Sequence, residues 1–304
     1  MTRLPPTPRP LLRTLGAAAA RSLRHRPLAA ILRSSIRSSP PPVGRPPWGL
    51  PVVVLLLSMI CVAPTLGAAP DASPPAEPPL EVRAARAALA AGDHAKALDA
   101  YERAVRAAPD ELRWSAEYRQ AAIAAEAYER PIELFGRLAE ERPRSAAVWL
   151  NLGYAFVDKI PAAGAVTQVI LADKALGHFS RAIELDPSWL ALYTRGNSYV
   201  YWPAIFGRTA KGIADLERAI EREPAGERRP FHSHAWIALG DAHWRLDDLE
   251  TARETWRRGL ERFPGNAALR ERLRREGKAL DELLGEHYAI GKRVDTSLEE
   301  LWEG

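Results

Sequence analysis

The chain has 304 residues, enough for one large domain or two small ones, and a formal net charge of +4. That charge is unevenly placed: residues 1–69 hold nine arginines and no Asp or Glu, leaving 33 basic against 38 acidic residues in 70–304, a net of −5. The body therefore lacks the broadly basic face of a nucleic-acid binder, and the single cysteine, Cys61, lies before it, so the body can form neither a disulfide nor a thiolate metal site.

Residues 1–49 read as a basic, Arg- and Pro-rich leader without regular structure. Seventeen of the 26 prolines precede residue 80, and proline at that density breaks helices and removes backbone donors. Residues 50–69, "LPVVVLLLSMICVAPTLGAA", form the one strongly apolar run. Its core, Val52 to Val62, would span only about half of the roughly 30 Å hydrocarbon layer. Arginines before it and Ala, Gly and Pro after it follow the order of a secretory signal, with cleavage expected after Gly67 or Ala68. The arginine bias places the leader on the cytoplasmic side and the body outside. The expected location is exported: periplasmic, or anchored to the outer side of an inner membrane through residues 50–69. The stretch before the apolar run is longer than an ordinary signal needs. A later start at Val43 or Leu50, or an organellar presequence, is the alternative. Ile60 is too large for the position before a lipid-carrying cysteine, which argues against lipidation of Cys61. Residues 70–79 read as a Pro-rich linker.

From Leu80 onward the pattern changes to amphipathic helices. Five prolines (Pro109, Pro143, Pro187, Pro224 and Pro264) each follow a similar helical ending, "AVRAAP", "LAEERP", "AIELDP", "AIEREP" and "GLERFP", at gaps of 34, 44, 37 and 40 residues. A period of this size signals a repeat architecture. The clearest unit is 233–264. Trp236, Leu239, Gly240 and His243 share one helical stripe, and Ala252, Trp256 and Gly259 share a second. Gly240 and Ala252 are expected to face each other where these two helices touch.

These stripes resemble the tetratricopeptide repeat (TPR) family, whose units carry W-x2-L-G-x2-Y in a first helix, A-x3-F in a second, and then proline. Trp149, Leu152, Gly153 and Phe156 match the first helix, and Ala175, Phe179, Ala182 and Pro187 match the second. Leu192, Arg195, Gly196 and Tyr199, followed by Gly212, Leu216, Ala219 and Pro224, give another unit; Ala97, Tyr101, Ala104 and Pro109 give part of a third. The unit at 112–143 is the most degenerate, with Pro131 in place of alanine. The resemblance implies an all-α fold: a right-handed superhelix of about five TPR-like helix pairs over residues 80–266, closed by a capping helix and tail at 267–304. The excess over 34 residues places an insertion at 158–168 between the helices of the third unit. A lengthened turn at "YWPAIFGR" follows in the fourth, where Pro203 ends the first helix and Gly207 permits the reversal, and extra residues lie around 227–232. Trp202 and Phe206 are expected to anchor a lip against the insertion at 158–168. "DTSLEELW" reads as a capping box at a helix start, with Trp302 docking back on the body, where the tail could occupy a partner site.

By the same resemblance, the first helices line a concave groove. The inner positions are Tyr154, Tyr193, Asn197, Tyr201, His234, Asp241, Trp244 and Arg245. Aromatics with a polar handle suit a peptide-binding surface; packing beneath the lengthened turns is the competing role for some of them. Some relatives grip a C-terminal carboxylate with a set of Lys, Asn and Arg. The matching positions here, Arg86, Gln120, Tyr154, Asn197 and Asp241, do not reproduce that set. The expectation is a non-catalytic scaffold for a protein or peptide partner, without cofactor or metal. Two alternatives stand: a groove for a polymer such as a glycan, and a metal-binding or enzymatic protein using His232, His234 and His243. His234 and His243 lie about 13–14 Å apart along one helix, too far to share an ion with His232. No phosphate loop, nucleophile elbow or zinc motif occurs.

Overall fold

A computed structural model describes residues 77–203, 206–224, 226, 228–289 and 293–302. The expected signal or anchor at 50–69 lies outside them. Among the described residues there are twelve α-helices and no strand. None of these helices is long and apolar enough to cross a membrane.

Ten helices form five antiparallel pairs in chain order. They are α1 (Leu80–Ala90) with α2 (His94–Ala107), α3 (Leu112–Ala124) with α4 (Glu129–Glu141), and α5 (Ala146–Lys159) with α6 (Ala165–Leu185); α7 (Trp189–Tyr201) with α8 (Thr209–Glu221) and α9 (Ser233–Arg245) with α10 (Leu249–Arg262) complete the set. The starts are written in the sequence. Asp93, Ser145, Ser188, Asp248 and Asn266 each accept a bond from a backbone N–H three residues on, filling a donor that the first turn leaves open. The ends within pairs one, two and five share one device. A single left-handed residue (Gly92, Glu126 or Asp247) reverses the chain. The next residue's N–H then closes on a carbonyl five residues back: Asp93 on Ala88, Ala127 on Ala122, Asp248 on His243.

Small residues set the approach of paired helices. A methyl at Gly153 would lie 2.3 Å from the Phe179 ring, and one at Gly196 would lie 2.8 Å from the Leu216 side chain and 3.1 Å from the Gly212 carbonyl. Gly240 corrects the expected pairing: it faces the Trp256 ring, 2.2 Å from a hypothetical methyl, rather than Ala252. A flat indole fills the space that two small residues would leave empty. Gly259 in turn receives Trp236, so each tryptophan of this pair lies against the other helix's glycine.

The third and fourth pairs depart from the common turn. The insertion at 158–168 is not a loop. A 3-10 turn at Ile160–Ala162 leads directly into α6, whose 21 residues begin at Ala165, so most of the extra length adds turns to the start of α6. Val166, Val169 and Ile170 on that extension are exposed. In the fourth pair α7 stops at Tyr201, ahead of Pro203, and Gly207 takes a left-handed φ of 61° before α8. Trp202 is buried as expected. Phe206 is not: it lies edge-on to Trp202 at 5.2 Å and is 46% exposed, so it covers the tryptophan from outside.

The cap is two helices rather than one. α11 (Ala267–Arg274) and α12 (Gly277–His287) break at Arg275–Glu276, where Gly277 has a φ of 48°. Leu269, Leu280 and Leu284, all buried, cover Trp256 and close the last apolar face. Asp241 locks the cap in place. Its carboxylate accepts from Arg272 Nε at 2.6 Å and Nη2 at 2.7 Å, from Tyr288 at 2.8 Å and from Trp256 Nε1 at 3.1 Å. A buried charge costs several kcal/mol unless paired in this way.

Candidate peptide groove

The first helices of the third, fourth and fifth pairs, α5, α7 and α9, present one face to a cavity of about 760 Å³. Tyr154, Tyr193, Asn197, Tyr201 and His234 all line it. The helical period explains the convergence. Tyr193, Asn197 and Tyr201 recur at every fourth residue of α7 and share a stripe, and Tyr154 and His234 come from the neighbouring first helices. Trp189 stacks on Tyr193 with ring centroids 4.9 Å apart, and Asn197 donates to the Tyr193 hydroxyl at 3.5 Å. Tyr154 meets the Thr194 hydroxyl at 2.5 Å and lies edge-on to Phe179. Burial pushes the Tyr154 hydroxyl up to about 12, opposed by its bond to Thr194 and by the Arg119 charge. Burial likewise raises the Tyr193 and Tyr201 hydroxyls above their ordinary value. These phenols are neutral donors and acceptors throughout the physiological range.

The remaining three expected groove residues go elsewhere. Asp241 is enclosed by the cap as described. Trp244 donates to Asp281 of α12 at 3.1 Å. Arg245 donates to the Trp202 carbonyl at 3.0 Å and lies over the Tyr288 ring. All three serve the contact between the fifth pair and the cap. The histidines do not gather. His232 accepts from the Arg229 backbone at 3.1 Å and His234 faces Glu300 at 3.3 Å. His243 lies 4.0 Å from Asp248. Among the described residues no three His, Cys, Asp or Glu side chains converge to hold a metal.

The three interruptions of the repeat meet at this cavity. Ile160, Ala165 and Val169 come from the lengthened start of the α6 segment, Trp202, Pro203 and Phe206 from the fourth turn, and Phe231 from the third interruption. The 158–168 insertion and the aromatic turn thus share a rim, and Arg208 of the turn pairs at 3.0 Å with Asp173, farther along α6. Arg208 also covers Trp202, 3.7 Å from the ring centroid.

The fourth wall is the C-terminal segment. Residues 293–302 cross the groove without α-helix or strand and end in a 3-10 turn at Glu299–Leu301. The capping box yields only this 3-10 turn: Ser297 Oγ accepts from the Glu299 N–H at 3.4 Å, and the Thr296 hydroxyl is used elsewhere. Thr296 Oγ1 donates to Asp158 at 2.5 Å and accepts from Gln120 at 3.2 Å. The Thr296 carbonyl accepts from Arg119 at 2.8 Å. Arg119 is the residue that sequence reading missed. It is fully buried, donates to Asp158 at 2.9 Å and Asn151 at 3.2 Å, and lies 4.7 Å from the Tyr154 ring centroid. Farther along, Arg229 donates to the Leu301 carbonyl at 2.6 Å, and Trp302 reaches the Arg113 guanidinium at 6.0 Å. Trp302 does dock on the body, as the sequence suggests.

Models of the tetratricopeptide repeat match residues 81–111 and 233–273, so tetratricopeptide repeats are present at both ends of the array. The Hsp70-Hsp90 organizing protein of Triticum aestivum is 31% identical over 107 residues, which is 35% of this chain and 17% of that protein. The chain thus matches under a fifth of that relative's length. Among solved structures, a thermophilic TPR protein of Thermus thermophilus is 21% identical with a TM-score of 0.46, covering 64% of this chain and 95% of the other. A tetratricopeptide repeat protein of Parabacteroides merdae is 12% identical with a TM-score of 0.45, covering 73% and 77%.

Proposed function

We propose that this protein is an exported, non-catalytic scaffold that holds a protein or peptide partner in its concave groove. The observation that carries the reading is the cavity itself. Its volume of about 760 Å³ falls within the range of ligand-binding clefts. Its walls are aromatic side chains with hydroxyl, amide and imidazole tips, the composition of recognition surfaces. The tetratricopeptide repeats and the Triticum aestivum relative, whose name describes an organiser of two other proteins, support a scaffold. Export rests on the leader: an acid-free, arginine-rich stretch, a short apolar core and small residues after it.

Affinity capture from envelope extracts tests the groove. A partner retained by the wild-type chain is expected to be lost with Tyr193→Ala in a variant whose far-UV circular dichroism shows the helical fold intact. Equal retention by both chains would remove the groove from the reading. N-terminal sequencing tests export, with a mature start near Ala68 expected and an intact Met1 or Val43 counting against cleavage.

A further inference from the structure

The groove is already occupied by the chain's own C-terminal segment, and the contacts describe a ligand. We propose that the groove takes in trans a peptide bearing threonine or serine at the Arg119–Asp158 pair and a large apolar residue two positions later. Residues 293–302 are the resident competitor for that site. This rests on the groove reading above and gives its partner a chemistry.

Three observations carry it. First, Arg119 and Asp158 are buried on facing first helices; their mutual bond, with Asn151 on the guanidinium Nε, leaves one guanidinium nitrogen and one carboxylate oxygen over. Thr296 supplies both missing partners, its carbonyl to Arg119 and its hydroxyl to Asp158. A buried charge pair needs these extra bonds, so the pair is completed by a residue that offers a hydroxyl and a free main-chain carbonyl together. Second, the other strong anchor, Arg229 to the Leu301 carbonyl, is a main-chain contact, which a different sequence can satisfy equally. Third, the tail carries backbone strain where a side chain should decide specificity. Leu298 adopts φ 60°, ψ 16°, a conformation unfavourable for a residue with a branched side chain. Its side chain packs on the cluster formed by Tyr154, Phe179, Trp189 and Leu192 and borders the cavity of about 760 Å³. A larger apolar side chain at that position extends that contact further into the cavity.

The test uses the full chain and a fluorescein-labelled peptide of sequence RVDTSLEELW, read by anisotropy. In Thr296→Arg, like charge against Arg119 expels the resident segment. In Leu298→Pro, the ring excludes the positive φ while the charge pair is untouched. Far-UV circular dichroism identifies folded variants, and Leu298→Pro serves if Thr296→Arg does not fold. The peptide is expected to bind the expelled-tail chain at least about tenfold more tightly than wild type, since a short tether presents its segment at millimolar effective concentration. A peptide with alanine for its threonine is expected to bind at least about tenfold more weakly, and one with tryptophan for its first leucine more tightly. Equal peptide affinity for wild type and the folded tail variants, or indifference to the threonine, overturns the proposal. If the peptide result fails while Tyr193→Ala still loses a captured partner, the groove reading stands and only the tail's role is withdrawn.

Discussion

Arg119→Met is the perturbation that bears most directly on the groove, because methionine keeps an unbranched stem and removes only the charge and its donors. In the structure the guanidinium makes a 2.9 Å bond to Asp158, a 3.2 Å bond to Asn151 and a 2.8 Å bond to the Thr296 carbonyl. Asp158 is 5% exposed, so water cannot take over. Truncating one member of a buried ion pair strands the other, and the expected loss is about 3–5 kcal/mol, most of it the uncompensated carboxylate. The double variant Arg119→Met/Asp158→Asn removes that stranded charge and is expected to recover at least half of the loss. Urea unfolding followed at 222 nm measures both. A loss below about 0.5 kcal/mol for Arg119→Met, the level of an ordinary surface change, would refute the assignment of Arg119 and Asp158 as a buried pair. So would a double variant no more stable than the single one.

Three further outcomes follow from the packing and the titrating groups. Gly240→Ala places a methyl 2.2 Å from the Trp256 indole, whose ring is fully buried and bonded to Asp241; it is expected to cost about 1–3 kcal/mol, read as a lowered thermal midpoint. Trp202→Ala empties a buried site between Phe206 and Arg208 and is expected to cost about 3 kcal/mol in chemical denaturation. Burial holds three histidines below their ordinary value of 6.5: His178, beside Lys174; His232, opposed by Glu223 and the Arg229 backbone bond, with the Arg229 charge adding to the shift; and His234, opposed by Glu300 and Asp295. The unfolded chain therefore binds more protons as pH falls below 6.5, so stability is full above that value and declines beneath it. Thermal midpoints measured from pH 7.5 to 5 are expected to fall, and a flat profile would contradict the burial of these rings.

The helix pairs were legible because their signals are local and redundant. Asp93, Ser145, Ser188 and Asp248 mark helix starts, and helical geometry sets Gly153 and Gly196 in phase with Phe179 and Leu216. The partner of Gly240 was not legible: the stripes allowed Ala252, and the structure sets it against the Trp256 ring. Periodicity gave the stripe Tyr193, Asn197 and Tyr201 its common face. It could not show that Asp241, Trp244 and Arg245, equally well phased, are taken by the cap. That depends on how α11 and α12 fold back, and Gly277 sets their angle by a positive φ. Arg119 was missed for a related reason. Its neighbour Gln120 occupies the expected inner position, and arginine in an amphipathic helix usually marks the solvated face. Asn151, 32 residues on, Asp158, 39 residues on, and Thr296, 177 residues on, together make its burial possible.

The same difference explains where the irregular parts of the chain lie. A regular array stabilises itself through contacts between successive units, and nothing in that arrangement requires a lengthened α6, an aromatic turn at 202–208 or a returning tail. If these were neutral insertions they would scatter over the outer turns, where loops are tolerated. Instead Ile160 and Val169, Trp202 and Phe206, Phe231, and Thr296 and Leu298 border one cavity. Two of these segments also break the left-handed turn shared by the first, second and fifth pairs. They deepen the groove at its aromatic stripe by adding walls that the first helices cannot provide. The tail adds the last wall through one hydroxyl, two carbonyls and a strained leucine, contacts that a competing peptide can reproduce or improve. The walls made by α6 and the 202–208 turn are held by the Arg208–Asp173 ion pair and by Arg245 on the Trp202 carbonyl. Displacing the tail therefore opens the groove without dismantling its rim.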